Sequence, residues 1–307
     1  MFLGYTYDMK KLIYLFLAII ILSPLTFCES QASLISDRAY RIQQRRENQQ
    51  NIKQIKELFE LHSKLANSHD VEKLSKLYAE NYINSDGFNK EAYFKSLKDT
   101  WKSCPDVTYK IKITSIDMNN NYANVNVEET ATGTISDTIQ ETEKIAGELH
   151  SFAKGIYHLV KINGQWYICS ETAISDEASL LYGDARFMNI ELEAPNLVAS
   201  GETYTITLKV DADENTVIVG SIDHDPVTYP TDIPKGELRT INKSQILERL
   251  IKANENNLNE YAIASMAISK MQPIGASYRI YMAGLACVMR RVNVVPENKF
   301  IKIEDEI

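Results

Sequence analysis

The sequence predicts an α+β fold: three helices packed on a curved antiparallel sheet, followed by a β-rich, immunoglobulin-like sandwich. Three observations carry this. Apolar residues recur at spacings of three and four before Pro105, the period drops to two directly after it, and a second set of alternating runs begins near Thr203. Helices segregated from a run of strands joined by short turns give helix-on-sheet layering, not parallel β-α-β units.

Ile52, Ile55, Leu58, Phe59, His62 and Leu65 form one face of the first helix. Asn67-Ser68-His69-Asp70 interrupts it, and Asp70 caps a second helix whose stripe is Leu74, Leu77, Tyr78 and Tyr82. Asn84-Ser85-Asp86-Gly87 is a turn, after which Asn89 caps a third helix from Lys90 to Cys104, apolar through Tyr93, Phe94, Leu97 and Trp101 and ended by Pro105. Val107, Tyr109, Ile111 and Ile113 then alternate with polar residues as a strand, which returns through Asn119-Asn120-Asn121 into a second strand from Tyr122 to Ile135. Ser136 to Glu148, acidic at Asp137, Glu141, Glu143 and Glu148, reads as a solvated loop at the mouth of the sheet. Two further strands, Glu148 to Ile162 and Gln165 to Ala173, are joined by Asn163-Gly164, a strong two-residue hairpin signal.

Composition changes after Tyr182-Gly183-Asp184. Tyr204, Ile206, Leu208 and Val210 alternate with Thr203, Thr205, Thr207 and Lys209, and Thr216 to Ser221 starts another strand. Pro226, Pro230 and Pro234 belong at edges or loops, because proline cannot continue a central ladder. Tyr261 to Ser269 and Ser277 to Met289 read as interior strands, and Arg290 to Pro296 as the closing edge strand and exit. Ser244 to Ala253 fits a short inserted helix through Ile246, Leu247, Leu250 and Ile251. Arg290 and Arg291 point to opposite faces of a strand, so they read as a solvated edge and not as a clamp for a carboxylate. Asp211, Asp213 and Glu214 lack the spacing of a calcium loop.

Lys10-Lys11 precedes an apolar run from Leu12 to Phe27, too short for a comfortable span and built like an export signal. Leu25-Thr26-Phe27-Cys28 resembles the processing site of bacterial lipoproteins, which implies acylation of Cys28 and an extracytoplasmic position at the membrane surface of a bacterial envelope. A cleaved secreted protein and an uncleaved anchor are the alternatives, and Met9 is an alternative start. The expected organisation is a signal over 1–28, a tether over 29–49, a helix-and-sheet domain over 50–182, a sandwich over 186–298 and a tail over 299–307.

The chain carries 33 Lys and Arg against 41 Asp and Glu, a formal net charge of −8, with the basic residues scattered. A nucleic-acid groove needs a concentrated positive stripe, so polyanion binding is disfavoured. Apart from Cys28, the cysteines are Cys104, Cys169 and Cys287. Cys104 with Cys169 is the pairing confined to one domain, the alternative being two small buried hydrophobes. No Cys-X-X-Cys occurs and the five histidines have no metal-site spacing, so no metal or cofactor is expected.

The order helix, helix, Asp86-Gly87 turn, short helix and meander, closed by Tyr157-His158-Leu159-Val160-Lys161-Ile162-Asn163-Gly164-Gln165-Trp166-Tyr167-Ile168, resembles the NTF2-like (cystatin-like, SnoaL-type) superfamily from about Gln50 to Leu180. The resemblance implies a cone in which sheet and helices enclose a pocket, and a sheet face able to pair with a second copy. It also implies one of several roles: isomerase, dehydratase, cyclase, ligand carrier or noncatalytic partner. Candidate catalytic groups are Asp86, Glu129 and His158, and candidate pocket walls are Tyr78, Tyr82, Trp101 and Tyr167. The leading expectation is a noncatalytic lipoprotein binding a small apolar ligand or a protein partner. The competing one is an enzyme with a pocket carboxylate or histidine acting on a small hydrophobic substrate. A solvent-reachable cavity with an inward acid or imidazole beside a second polar group separates them.

Overall fold

A computed structural model describes residues 9–139, 143–213, 215–229, 239–241, 246–275 and 277–297, with side chains from 38 onward except 136–145. The chain divides into two units, Met1–Ile55 and Lys56–Ile307. Helix α1 runs over Met9–Asn67. The stretch read as a tether is helical, with 38–50 exposed along it. The export signal, the acylation of Cys28 and the 299–307 tail lie outside the described residues and side chains. Among the described residues no helix is long and apolar enough to cross a membrane.

Within the larger unit, α1 buries Leu58, Phe59, His62 and Leu65. Asp70 then accepts from the Lys73 amide at 3.0 Å and starts a single turn, α2 (Val71–Leu74), continued by a 3-10 turn over Ser75–Leu77. The expected second helix ends there. Tyr78 is already extended, so Tyr78 and Tyr82 do not share a helix face as the spacing suggested. The exposed edge of a later strand decides this: the amides of Ala79, Ile83 and Ser85 donate to the carbonyls of Ile168, Cys169 and Glu171, satisfying groups a helix would have paired internally. Helix α3 (Lys90–Ser103) starts at Asn89, whose side chain accepts from the Ala92 amide, and buries Phe94 and Trp101.

Strands β1 (Thr108–Asn119), β2 (Tyr122–Ile139), β3 (Glu143–Ile162) and β4 (Gln165–Gly183) form an antiparallel meander. Asn163 and Gly164 take φ of 51° and 83°, the left-handed pair that a two-residue hairpin requires. In its described residues, 136–139 and 143–148, the acidic stretch read as a loop is paired strand. β2 and β3 stay paired out to Ile139 opposite Glu143, because pairing satisfies the backbone donors and acceptors of both strands.

The remaining strands are β5 (Ile190–Glu193), β6 (Leu197–Ala199), β7 (Thr203–Val210), β8 (Thr216–Pro226), β9 (Arg239–Thr240), β10 (Ile246–Lys252), β11 (Glu260–Ile274) and β12 (Ser277–Val295). One nine-stranded sheet runs β1-β2-β3-β4-β12-β11-β8-β9, with β6 joining β12, and a three-stranded sheet runs β10-β7-β5. Two expectations are corrected. The segment read as a closing edge is the end of an internal strand: β12 pairs with β4 as far as Arg290, with β11 as far as Val292 and with β6 from Asn293 to Val295. The described part of the stretch read as a helix, from Ile246 on, is strand β10, paired with β7 from Ile246 opposite Lys209 to Lys252 opposite Thr203. The apolar spacing there fitted a helix, but Leu250 is 70% exposed and Ile251 alone of the four is buried, the alternation of a sheet edge.

The C-terminal region is therefore a sandwich. Tyr204, Ile206, Leu208 and Val210 of β7 meet Ile218, Ala264, Ile268 and Val288 of the large sheet in one core. Each buried aliphatic side chain there contributes about 2 kcal/mol of transfer free energy. β4 ends at Gly183 and, by pairing with β12 from Glu177 to Gly183, joins the N-terminal meander to that sheet. The junction is tight: Gly183 sits at φ 56° opposite Gly284, and a Cβ on Gly284 would lie 2.8 Å from the Ala185 amide and the Tyr182 carbonyl.

Candidate functional site

The concave face of β2–β4 carries Val125, Val127, Tyr157, Leu159, Trp166 and Ile168, all buried beneath the helices. Phe59 meets Tyr157 edge-on at 5.1 Å between ring centres, tying α1 to the sheet. Along β2 the inward positions 123, 125 and 127 lead to Glu129, so plain alternation aims this carboxylate into the cone. Its Oε1 accepts from the Tyr157 hydroxyl at 2.6 Å, and burial pushes its pKa up.

A second acid arrives by a different route. From Trp166 and Ile168, alternation predicts Ser170 and Thr172 inward and Glu171 outward. The β3–β4 register instead steps from Leu159 opposite Ile168 to His158 opposite Ser170, so a bulge at Cys169 inverts the phase and sets Glu171 opposite the inward Tyr157. Burial, with a smaller push from Glu129, raises the Glu171 carboxyl to about 8, and the neighbouring Tyr78 and Tyr82 offset only part of this. Its Oε1 and the Tyr82 hydroxyl have no hydrogen-bond partner among the described residues.

His62 completes the buried polar set. Its Nε2 lies 2.9 Å from the Tyr78 hydroxyl, which in turn is 3.3 Å from that of Tyr93. Burial lowers His62 to about 4, so its imidazole is neutral at physiological pH, and Nδ1 has no partner among the described residues. Burial holds Tyr78, Tyr93 and Tyr157 well above the usual phenol range, so their hydroxyls remain donors. A recess of about 100 Å³ reaches this interior past Glu129, Tyr157 and Glu171, with Asn84, Ser85 and Asp86 along its rim. Two carboxyls and the Tyr157 phenol line this small opening, and such groups can donate or accept a proton at an atom placed between them.

The candidates separate accordingly. Glu129 faces the recess, and Tyr78 and Tyr82 stand beside Glu171. Asp86 lies at the rim but is engaged: Arg291 grips it with both terminal nitrogens, at 3.0 and 2.5 Å, and Asn259 donates to it at 2.7 Å. Arg291 is thus a buried clamp for a carboxylate of its own chain, not a solvated edge residue, while Arg290 on the other face pairs with Glu177. His158 is on the outer face, its ring nitrogens 2.8 Å from Asn124 Oδ1 and 3.0 Å from Thr172 Oγ1, which removes it from the pocket. Tyr167 shares that outer side, opposite Trp166 and Ile168. Trp101 is a packing residue, stacked on His69 at 4.6 Å and donating to the Tyr109 hydroxyl.

Cys104 and Cys169 do not pair. Cys104 caps α3 with its thiol 3.6 Å from Asp106, and Cys169 donates to the His158 carbonyl at 3.2 Å inside the bulge, so the two point to separate places. Among the described residues no group of three or more His, Cys, Asp or Glu side chains is arranged to hold a metal ion. Sequence reasoning named His62 only as part of a stripe and missed Glu171 altogether, because nothing in the residue pattern marks the bulge.

No family model matches the sequence, and no curated protein matches it. Solved structures with similar segments include Bd1075 of Bdellovibrio bacteriovorus, at 13% identity and TM-score 0.33 over 39% of this chain; the chain spans 40% of that protein. A type 2 hexachlorocyclohexane dehydrochlorinase is similar at 8% identity and TM-score 0.35, covering 41% of this chain and 85% of that one. An NTF2-like protein with a cystatin-like fold from Novosphingobium aromaticivorans is similar at 14% identity and TM-score 0.31, covering 42% and 84%. These likenesses assign no activity to this chain.

Proposed function

We propose that the cone is a general acid–base site of the isomerase, dehydratase or cyclase type, acting on a small, largely apolar substrate. One observation carries this: two inward carboxyls, Glu129 and Glu171, meet at one solvent-reachable recess, where burial pushes both up and Glu171 to about 8. A group with a pKa near the working pH both holds and releases its proton readily, which is the requirement for acid–base catalysis. Glu171 is the proton donor and acceptor, and the Glu129–Tyr157 pair takes up charge that develops on the substrate. The recess has the volume of about three waters, so it admits the reacting end of a molecule and not a bulky ring system. A binder without chemistry is the weaker reading, because burying two acids costs stability that an apolar lining would not.

The apolar run before Cys28 supports placing the protein at a bacterial envelope membrane through an acylated Cys28. Membrane fractionation of a Cys28→Ser chain tests this. The catalytic reading is tested by exchange of hydrogen for deuterium at carbon in a set of small ketones and enones. Exchange should fall by about 10²–10⁴ in both Glu171→Gln and Glu129→Gln. A Glu171 carboxyl whose carbon resonance titrates in the ordinary carboxylate range removes the proposal.

A further inference from the structure

The β11–β12 ribbon outruns the sheet that carries it. β12 leaves β4 at Gly284 and β11 leaves β8 at Lys270, but the two strands stay paired to Ile274 opposite Ser277. Cross-strand partners share a face, so Met271 with Ile280, Pro273 with Tyr278, and Met282 form one side of this projecting tip. Apart from Ser269 opposite Met282 that side is apolar, and it is open to solvent: Tyr278, Ile280 and Met282 are 72, 63 and 59% exposed. The other side carries Gln272, Ile274, Ser277, Arg279 and Tyr281, with Lys270 at its base paired to Asp184. No acidic residue occurs between Glu260 and Glu297, although the chain as a whole is at −8.

We propose that this tip lies on the surface of an anionic phospholipid bilayer, with Tyr278, Ile280 and Met282 entering the acyl boundary and Arg279 at headgroup level. An apolar face beside the cation of Arg279, on a ribbon that contributes no carboxylate of its own, matches a negatively charged interface, where tyrosine and methionine bury their carbon and a basic side chain reaches the phosphates. The inference extends the proposed envelope location but does not need the acyl chain on Cys28.

The test uses the full chain with Ile280→Trp, on vesicles of phosphatidylcholine with or without phosphatidylglycerol, some with brominated acyl chains. Trp101 and Trp166 are buried, so the unsubstituted protein supplies a constant background. Tyr122→Trp, exposed at the start of β2, is the control. On phosphatidylglycerol vesicles the emission of Ile280→Trp should move to the blue and be quenched by the brominated chains, with both effects weakened by salt. Emission that behaves like Tyr122→Trp overturns the proposal. So does shielding of Ile280→Trp that appears without vesicles and grows with protein concentration, the signature of a second copy. In the Cys28→Ser background, retained quenching supports the tip whatever becomes of the anchor, and lost quenching overturns it.

Discussion

Replacing Glu171 by glutamine turns its burial into a measurable pH dependence. A carboxyl moved from 4.5 unfolded to about 8 folded keeps a proton that the unfolded chain has released, so protons bound in the native state exceed those bound when unfolded, and stability falls as pH rises between those values. The full difference corresponds to about 5 kcal/mol, reduced where solvent enters the recess, so about 3–5 kcal/mol is expected. Glutamine keeps the shape and cannot ionise. The variant should match the parent near pH 4.5 and exceed it by about 3–5 kcal/mol at pH 8 and above. His62 acts in the opposite sense: its folded value of about 4 means stability is lost as pH falls from 6.5 toward 4. The parent alone will therefore show a shallow profile below pH 6.5, and the variant-minus-parent difference is the quantity to follow. Urea unfolding at half-unit steps from pH 4.5 to 8.5 measures it. A difference that stays level across this range refutes the burial of an ionisable Glu171.

Truncating Arg291 to methionine leaves the Asp86 carboxylate without its clamp and should cost about 3–5 kcal/mol in urea unfolding, with part recovered by Asp86→Leu in the same chain. Gly284→Ala puts a methyl against the Ala185 amide and Tyr182 carbonyl, and a loss of about 2 kcal/mol or more is expected in the same assay. Thiol titration of the unfolded, non-reduced chain should find Cys104, Cys169 and Cys287 all reactive, and dithiothreitol should leave its melting temperature unchanged.

Local chemistry made much of this molecule legible. The stripe Leu58, Phe59, His62 and Leu65 follows from helical spacing, the starts of α2 and α3 from the caps Asp70 and Asn89, and the β3–β4 turn from Asn163-Gly164, because each depends on residues within one or two turns of chain. Glu129 could be aimed inward by counting along one strand. Glu171 could not, since one extra residue at Cys169 inverts every later side chain and leaves no trace in composition.

By itself the sequence determined most of the helical and extended segments, though not the end of the second helix, the pairing after Ser136 or strand β10, and that acids and tyrosines are carried on the cone's strands and turns. Tertiary structure alone decided that β12 would lie between β4 and β11, that Arg291 would seize Asp86 across 205 residues, and that His158 and Tyr167 would face outward. The physical reason is range: capping and periodicity are energies of near neighbours, whereas strand partnership and the desolvation that moves Glu171 arise only when distant segments close on one another and exclude water.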